Sequence, residues 1–350
     1  MADLKTTRRT AAPRNAPRVR VPPAPALPGA RSVLGMEDLG PSLPLILASA
    51  RHLKAQGKAG RLPPLLAGKT VLMIYEKNST RTRVSFEVGV QRLGGVAVNL
   101  DAQSSQLSRG ESLEDTAQVL SRYADALVYR AKEHANLEAL ARCATVPVVN
   151  ALTDLEHPCQ ILADLMTLEE HLGDLHGKTL CYVGDGNNMC NSYLLGAALA
   201  GMSAQVATPK GYDPDAEILA RARSLAEAAG TKVTLSRDVA KAVAGAHAVA
   251  TDTWVSMGDE KEELQRRKAF QGYTVDDALM EKAAPGALFL HCLPGHWGEE
   301  ATEAVAHGPR SVIYDEAENR MWVQMALLIH LLQADPAAGQ GWPDHPSNPQ

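Results

Sequence analysis

The sequence predicts an α/β fold of two domains, each a parallel β-sheet flanked by helices. Three observations carry that expectation. Short apolar or β-branched runs alternate with longer helical patterns through most of the chain, as strands joined by crossover helices do. The 350 residues allow two domains at roughly 150 residues each. The two halves also begin alike: Gly68-Lys69-Thr70 opens a strand whose following helix ends at Gly94-Gly95, and Gly177-Lys178-Thr179 opens another whose helix ends at Gly201.

Residues 1–35 hold Pro13, Pro17, Pro22, Pro23, Pro25 and Pro28 among Arg and Ala. So many prolines prevent the amphipathic helix of a transit peptide, and a disordered extension is expected instead. Within 36–170, strands are expected at Thr70–Tyr75, Val96–Leu100, Ala126–Tyr129 and Val146–Asn150. Helices lie between them near Val84–Leu93, Ser112–Tyr123 and Leu137–Cys143, and a linking helix runs from Pro158 to His171. Within 171–317, strands follow at Thr179–Val183, Gln205–Thr208, Lys232–Leu235, Ala248–Thr251 and Leu288–His291. The final unit, 318–333, is a helix over Glu318–Leu332 that the pattern leaves free to pack on either domain. Residues 334–350, rich in Pro and Gly, read as a flexible tail.

Composition excludes several classes. Hydrophobic residues make up 45% and charged residues 21%, ordinary for a soluble globular chain. No apolar run approaches the roughly 18 residues of a membrane span, and the start lacks a basic-then-apolar signal peptide. Five cysteines without a CxxC argue against a disulfide framework or structural zinc, so a reducing, cytoplasmic setting and no metal are expected. The net charge of −5 is uneven: seven Lys/Arg against one acid in 1–35 leave an acidic body. Such a body is a poor nucleic-acid partner, because phosphate-backbone affinity comes from clustered Lys and Arg.

Two nucleotide signals fail on inspection. A P-loop would need glycine at 63 or 172, where Pro63 and Leu172 stand, and both Gly-Lys-Thr triplets precede their strands. Gly184-Asp185-Gly186 follows a strand, but Met189 occupies the third glycine position of a dinucleotide fingerprint. The next strand ends at Thr208-Pro209, without the ribose-binding acid. No nicotinamide or other cofactor is expected.

Five segments hold the polar chemistry. Ser79-Thr80-Arg81-Thr82-Arg83 opens a helix after the first strand, where unpaired N–H groups, hydroxyls and a guanidinium suit a phosphate. A capping serine followed by solvated arginines is the equally simple alternative. His157-Pro158-Cys159-Gln160 begins the linking helix, with His157 and Gln160 on one face, or with His157 merely as a cap. His291-Cys292-Leu293-Pro294 ends a strand, where open α/β sheets bind ligands, although a cysteine there is often just a small buried hydrophobe. Asp252-Thr253-Trp254-Val255-Ser256-Met257-Gly258 follows another strand and precedes the charged stretch Asp259–Lys268, read as a solvated helical face. Glu318-Asn319-Arg320 opens the last helix.

STRTR, HPCQ, DGNN with a later Asn, DTWVSMG, HCLP and AENR occur in the order shown by ornithine carbamoyltransferases, and from Val33 to Leu332 the chain resembles that family. The resemblance implies an N-terminal domain that binds carbamoyl phosphate and a C-terminal domain that binds ornithine, with the last helix returning to the N-terminal domain. By the same resemblance Ser79, Thr80, Arg81, Thr82 and Arg130 hold the phosphate. His157, Gln160 and Arg320 surround the carbamoyl group, and Gln106 is lent to a neighbouring subunit of a homotrimer or a higher assembly of trimers. Asn191, Asp252, Ser256 and Met257 contact ornithine, while Cys292 and Leu293 lie near the reacting δ-amine. Arg81, Arg130, His157, Asp252 and Cys292 form the catalytic set it implies, with citrulline and phosphate as products within arginine metabolism.

Physical chemistry adds two points. Attack on the carbamoyl carbon builds charge on its oxygen, and each well-placed donor contributes about 3 kcal/mol to stabilising it. A δ-amine with the lysine-like pKa of about 10.4 is mostly protonated at neutrality, so activity should rise toward alkaline pH. Putrescine, the alternative acceptor, lacks the α-amino and carboxylate groups that Asp252 and Ser256 would meet. A catalytically silent homologue would not need every one of these positions filled. One departure stands out: Gly295-His296-Trp297-Gly298 replaces the Ala-His-Arg-Gly common in bacterial relatives.

Overall fold

The computed structural model describes residues 32–77, 79–255 and 262–332. The expected N-terminal extension and C-terminal tail therefore lie outside the described residues, apart from 32–35 at the inner edge of the former. The chain forms two wholly parallel sheets. The front lobe is built on β1 (Thr70–Tyr75), β2 (Val96–Asp101), β3 (Ala126–Arg130) and β4 (Val148–Leu152), in the spatial order β2-β1-β3-β4. The rear lobe is built on β5 (Thr179–Val183), β6 (Ser203–Ala207), β7 (Val233–Ser236), β8 (Ala248–Thr251) and β9 (Leu288–His291), in the order β7-β6-β5-β8-β9.

Helices cover both faces. In the front lobe they are α1 (Leu43–Lys58), α2 (Thr80–Arg92), α3 (Leu113–Leu120), α4 (His134–Cys143) and the linking α5 (Pro158–Leu172). In the rear lobe they are α6 (Asn188–Leu199), α7 (Ala216–Ala228), α8 (Val239–Val243), α9 (Glu263–Ala269), α10 (Asp277–Met280) and α11 (Glu303–Ala306). Central strands are therefore buried on both sides: all five residues of β3 and all four of β8 are buried, which is why residues 126–129 and 248–250 read as apolar runs. The shared opening of the two halves is a shared geometry. Gly68 and Gly177 have φ of +77° and +76°, and the next residues, Lys69 and Lys178, each donate a backbone hydrogen bond three residues back, to Leu66 and Leu175. A side chain at either glycine would be strained.

The last helix, α12 (Ile313–Leu332), returns to the front lobe and packs on α1, α2 and α5. Lys54 Nζ ties α1 to it through Asn319 Oδ1 at 2.8 Å and to α5 through Glu170 Oε2 at 2.8 Å, while Asn319 Nδ2 donates to Thr167 Oγ1 at 2.8 Å. The ring of Trp322 fills the space beside Gly57, where a Cβ would stand 2.2 Å from it. This helix begins at Ile313 rather than Glu318, so Glu318-Asn319-Arg320 lies in its second turn. The early start buries Ile313 and Glu316 and puts Asp315 and Glu316 at the positive end of the helix dipole. α1 was not anticipated at all. Among the described residues no helix is long and apolar enough to cross a membrane.

Candidate functional site

A cleft of about 1090 Å³ opens between the carboxyl ends of the two sheets. Parallel sheets present loops and helix starts there, which is where such folds bind ligands. The front lobe contributes Ser79, Thr80, Arg81 and Thr82 from the start of α2, Arg130 from the end of β3, and His157 and Gln160 from the start of α5. The rear lobe contributes Asp252 after β8 and Cys292 and Leu293 after β9, and α12 inserts Arg320. Of the fifteen residues implied by the resemblance, the cleft wall gathers eleven.

At the front end three guanidinium groups converge. Arg320 Nη2 donates to Thr82 Oγ1 at 2.7 Å, Arg130 Nη1 reaches the same oxygen at 3.5 Å, and Arg81 Nη2 donates to the Leu293 carbonyl. Ser79 holds the extended N-cap conformation of α2, yet its hydroxyl makes no capping hydrogen bond, so the N–H groups of the first turn are not satisfied by it. Arg130 and Arg320 are nearly fully buried. Burial first, then the charge of Arg320 and to a lesser extent that of Arg81, lower the Arg130 pKa to about 10 against the opposing effect of Cys292 and Tyr75. Arg320 is lowered too, chiefly by burial. Cations held this close in a dry site are a seat for an anion, which would relieve both the desolvation and the mutual repulsion.

His157 sits beside them. Burial first, then Arg320, Arg130 and Arg81, hold its pKa well below the ordinary value, so the ring is neutral. Its backbone N–H donates to Ser192 Oγ at 2.7 Å, whereas ring Nδ1 is buried with no protein partner. Gln160 Oε1 accepts from Arg320.

The rear end has the opposite character. The Cys292 thiol donates to Asp252 Oδ1 at 3.3 Å, and Asn187 Nδ2 donates to Asp252 Oδ2 at 2.8 Å. Burial, and then Asp252 and Glu316, raise the Cys292 pKa well above that of a free thiol, so sulfur is a hydrogen-bond donor rather than a thiolate. The loop after β9 is held by His291, whose Nδ1 accepts from Leu293 N at 2.9 Å and whose Nε2 faces Glu300 Oε1 at 3.2 Å. Trp297 explains the departure from Ala-His-Arg-Gly. Its indole packs edge-on against His291 and His307 and covers Gly295, where a Cβ would stand 2.1 Å from the ring. Glycine at 295 and tryptophan at 297 therefore go together.

Two implied residues fall elsewhere. Asn191 does not line the cleft: its Nδ2 donates to Leu155 O at 3.1 Å and its Oδ1 accepts from Asp215 N at 3.0 Å, tying α6 to two loops. Asn187 and Asn188, one turn earlier, line the cleft instead, and Asn188 Nδ2 donates to Thr153 O at 2.6 Å. The signal that could have found them is their place at the N-cap and first residue of α6, directly after β5. Gln106 is exposed on the short 3-10 turn Gln106–Arg109 and does not reach this cleft. Ser256 and Met257 lie outside the described residues. The charged stretch is also not simply solvated: Arg266 of α9 donates to Asp185 Oδ2 at 2.7 Å and to Trp254 O at 3.1 Å in the cleft wall, its guanidinium 5.2 Å from the centre of the Tyr212 ring. A charge run gives no sign of such partners. No group of His, Cys, Asp and Glu among the described residues is arranged to hold a metal ion.

A two-lobed α/β protein with a cationic seat at one end of its cleft and a carboxylate at the other is built to set an anionic ligand against a basic one. Residues 31–170 match the carbamoyl-phosphate-binding domain and residues 176–331 the Asp/Orn-binding domain of aspartate/ornithine carbamoyltransferases, and the chain belongs to that family. Ornithine carbamoyltransferase of Methanoculleus marisnigri is 52% identical over 303 residues, 86% of this chain and 97% of that protein. The Acidothermus cellulolyticus enzyme is 50% identical over 314 residues, 89% of this chain and 99% of its own. Among solved structures, ornithine carbamoyltransferase from Pyrococcus furiosus matches with a TM-score of 0.85 at 45% identity, over 87% of this chain and 98% of that one.

Proposed function

We propose that this protein transfers the carbamoyl group of carbamoyl phosphate to the δ-amino group of L-ornithine, releasing L-citrulline and phosphate. The observation that carries the reading is the meeting of Arg81, Thr82, Arg130 and Arg320 with Asp252 and Cys292 across one cleft. The dianionic phosphate rests on the start of α2, against Ser79, Thr80, Arg81, Thr82 and Arg130. Arg320, Thr82 and neutral His157 surround the carbamoyl group and stabilise the oxyanion formed on attack. Asp252, together with the cleft-lining Asn188, receives the α-amino end of ornithine, and the family resemblance adds Ser256 and Met257 to that contact. Cys292 and Leu293 line the path of the δ-amine. The leaving phosphate accepts the amine's proton, so no separate general base is required.

The assembly we infer is a homotrimer, or trimers joined further, in which Gln106 completes a neighbouring subunit's site. Support comes from the exposure of Gln106 away from its own cleft and from the exposed apolar side chains Val84 and Val88 on α2 and Val96 and Val98 on the adjoining β2. The five free cysteines suit a reducing cytoplasm. A panel of ornithine, putrescine, N-acetylornithine and aspartate, each with carbamoyl phosphate, tests the reading. Ornithine should be the one substantial acceptor, and equal turnover of putrescine would contradict the roles of Asp252 and Ser256.

A further inference from the structure

Two carboxyl groups are buried behind the carbamoyl end of the cleft, where the reaction itself does not use them. Asp164 on α5 is 0% exposed and Glu316 on α12 is 1% exposed. Gln160 Nε2 donates to both, to Asp164 Oδ1 at 2.9 Å and to Glu316 Oε1 at 2.7 Å. On its other side Gln160 Oε1 accepts from Arg320 Nη1, while Arg320 Nη2 donates to Thr82 Oγ1. The second oxygen of Glu316 accepts from the backbone of His291 at 3.0 Å, one residue before Cys292.

These neighbours admit only one orientation of the amide. A guanidinium has donors and no acceptor, so the Gln160 oxygen must face Arg320, and the NH2 must face the carboxyls. Reversing it would set NH2 against guanidinium and carbonyl against carboxyl. Burial pushes both carboxyls toward the protonated form; the closeness of Asp164 raises Glu316 further, while hydrogen bonds with Tyr193, Gln160 and Glu316 partly hold Asp164 back. A pair that shares one proton still turns acceptor oxygens toward the amide.

We propose that Asp164 and Glu316 are positioning residues that lock Gln160 with its oxygen toward the carbamoyl end of the cleft, so that the site selects a transferable group bearing N–H over an isosteric methyl group. The inference rests on the carbamoyl-transfer reading and deepens it. A fixed acceptor rewards the carbamoyl NH2 and is left unpaired by the methyl of acetyl phosphate, the kind of loss that binding sites discriminate strongly.

The test is calorimetric binding of carbamoyl phosphate and acetyl phosphate to the full-length protein, alongside the KM for ornithine. The wild type should bind carbamoyl phosphate at least about tenfold more tightly than acetyl phosphate. In Glu316→Gln the new oxygen must accept from His291 N, so the new NH2 opposes that of Gln160. Carbamoyl phosphate affinity should fall about tenfold, with acetyl phosphate affinity and the ornithine KM within about twofold of wild type. Asp164→Asn can turn its oxygen to Gln160 and its NH2 to Glu316, and should keep most of the preference. Equal binding of the two phosphates by wild type overturns the proposal whatever the variants do, and so does a folded Glu316→Gln that keeps the wild-type ratio. Should Glu316→Gln not fold, the wild-type ratio and Asp164→Asn decide. Absence of citrulline formation by wild type would instead refute the carbamoyl-transfer reading, which the binding ratio does not measure.

Discussion

Arg81, at the start of α2 in the front lobe, donates a hydrogen bond to the carbonyl oxygen of Leu293, just after β9 in the rear lobe. The arginine on which the phosphate seat depends thus also ties the two sides of the cleft. Removing it takes away a charge-assisted donor and that tie together. Arg81→Ala should lower kcat/KM for carbamoyl phosphate by about 10³-fold, near 4 kcal/mol, with thermal unfolding little changed because the side chain is only partly buried. Citrulline assays beside a melting curve check this, and a variant keeping a tenth of wild-type activity would refute it.

The thiol of Cys292 should behave as a donor and not as a nucleophile. Its pKa lies well above that of a free thiol, because it is desolvated and faces Asp252. Iodoacetamide at pH 8 should label it at least about tenfold more slowly than glutathione, whose thiol is unperturbed. Cys292→Ser keeps a donor for Asp252 and should lose less activity than Cys292→Ala. The reverse order would show that the hydrogen bond is not what the site uses.

Activity should climb between pH 6 and 9 as ornithine's δ-amine loses its proton, by up to about tenfold per pH unit. His157 should add no inflection near its ordinary pKa, since burial and three arginines keep it neutral throughout. A flat pH–rate profile, or one with a limb at the usual histidine value, contradicts this.

Glu156 supplies a stability prediction with a definite sign. It is buried, its Oε2 accepts from Met36 N at 2.8 Å, and burial raises its pKa from 4.5 to about 7. A raised folded-state pKa means that its contribution is fully present below the unfolded pKa and is lost as pH rises through about 7. Glu156→Gln removes that loss. Denaturant titrations should show the variant gaining on wild type by up to about 3 kcal/mol between pH 4.5 and 7.5. Parallel pH curves would show that the carboxyl does not titrate as described.

Much of the fold was legible because parallel strands buried on both faces leave sharply bounded apolar runs. The expected limits Thr70–Tyr75, Thr179–Val183, Ala248–Thr251 and Leu288–His291 are those of β1, β5, β8 and β9. The fourth strand slips, from an expected start at Val146 to Val148, because Pro147 has no N–H to give the ladder and contributes only its carbonyl, to Leu127 N. The early start of α12 was hidden because Glu316 is an acid whose burial depends on Gln160 and His291, far away in sequence. At the site, motif identity located the cationic seat but not side-chain direction. A short run of asparagines cannot say that Asn187 and Asn188 face the cleft while Asn191 turns to Leu155 and Asp215. Nor can a charged stretch show that Arg266 packs on Tyr212 beside Asp185.

The most direct test of the central claim is a crystal structure with a bisubstrate mimic that joins a phosphonate to ornithine through a carbonyl. The phosphonate should rest on the N–H groups at the start of α2 and on Arg81 and Arg130, with the amino-acid end beside Asp252. A phosphonate bound elsewhere, leaving those arginines without it, would contradict the account.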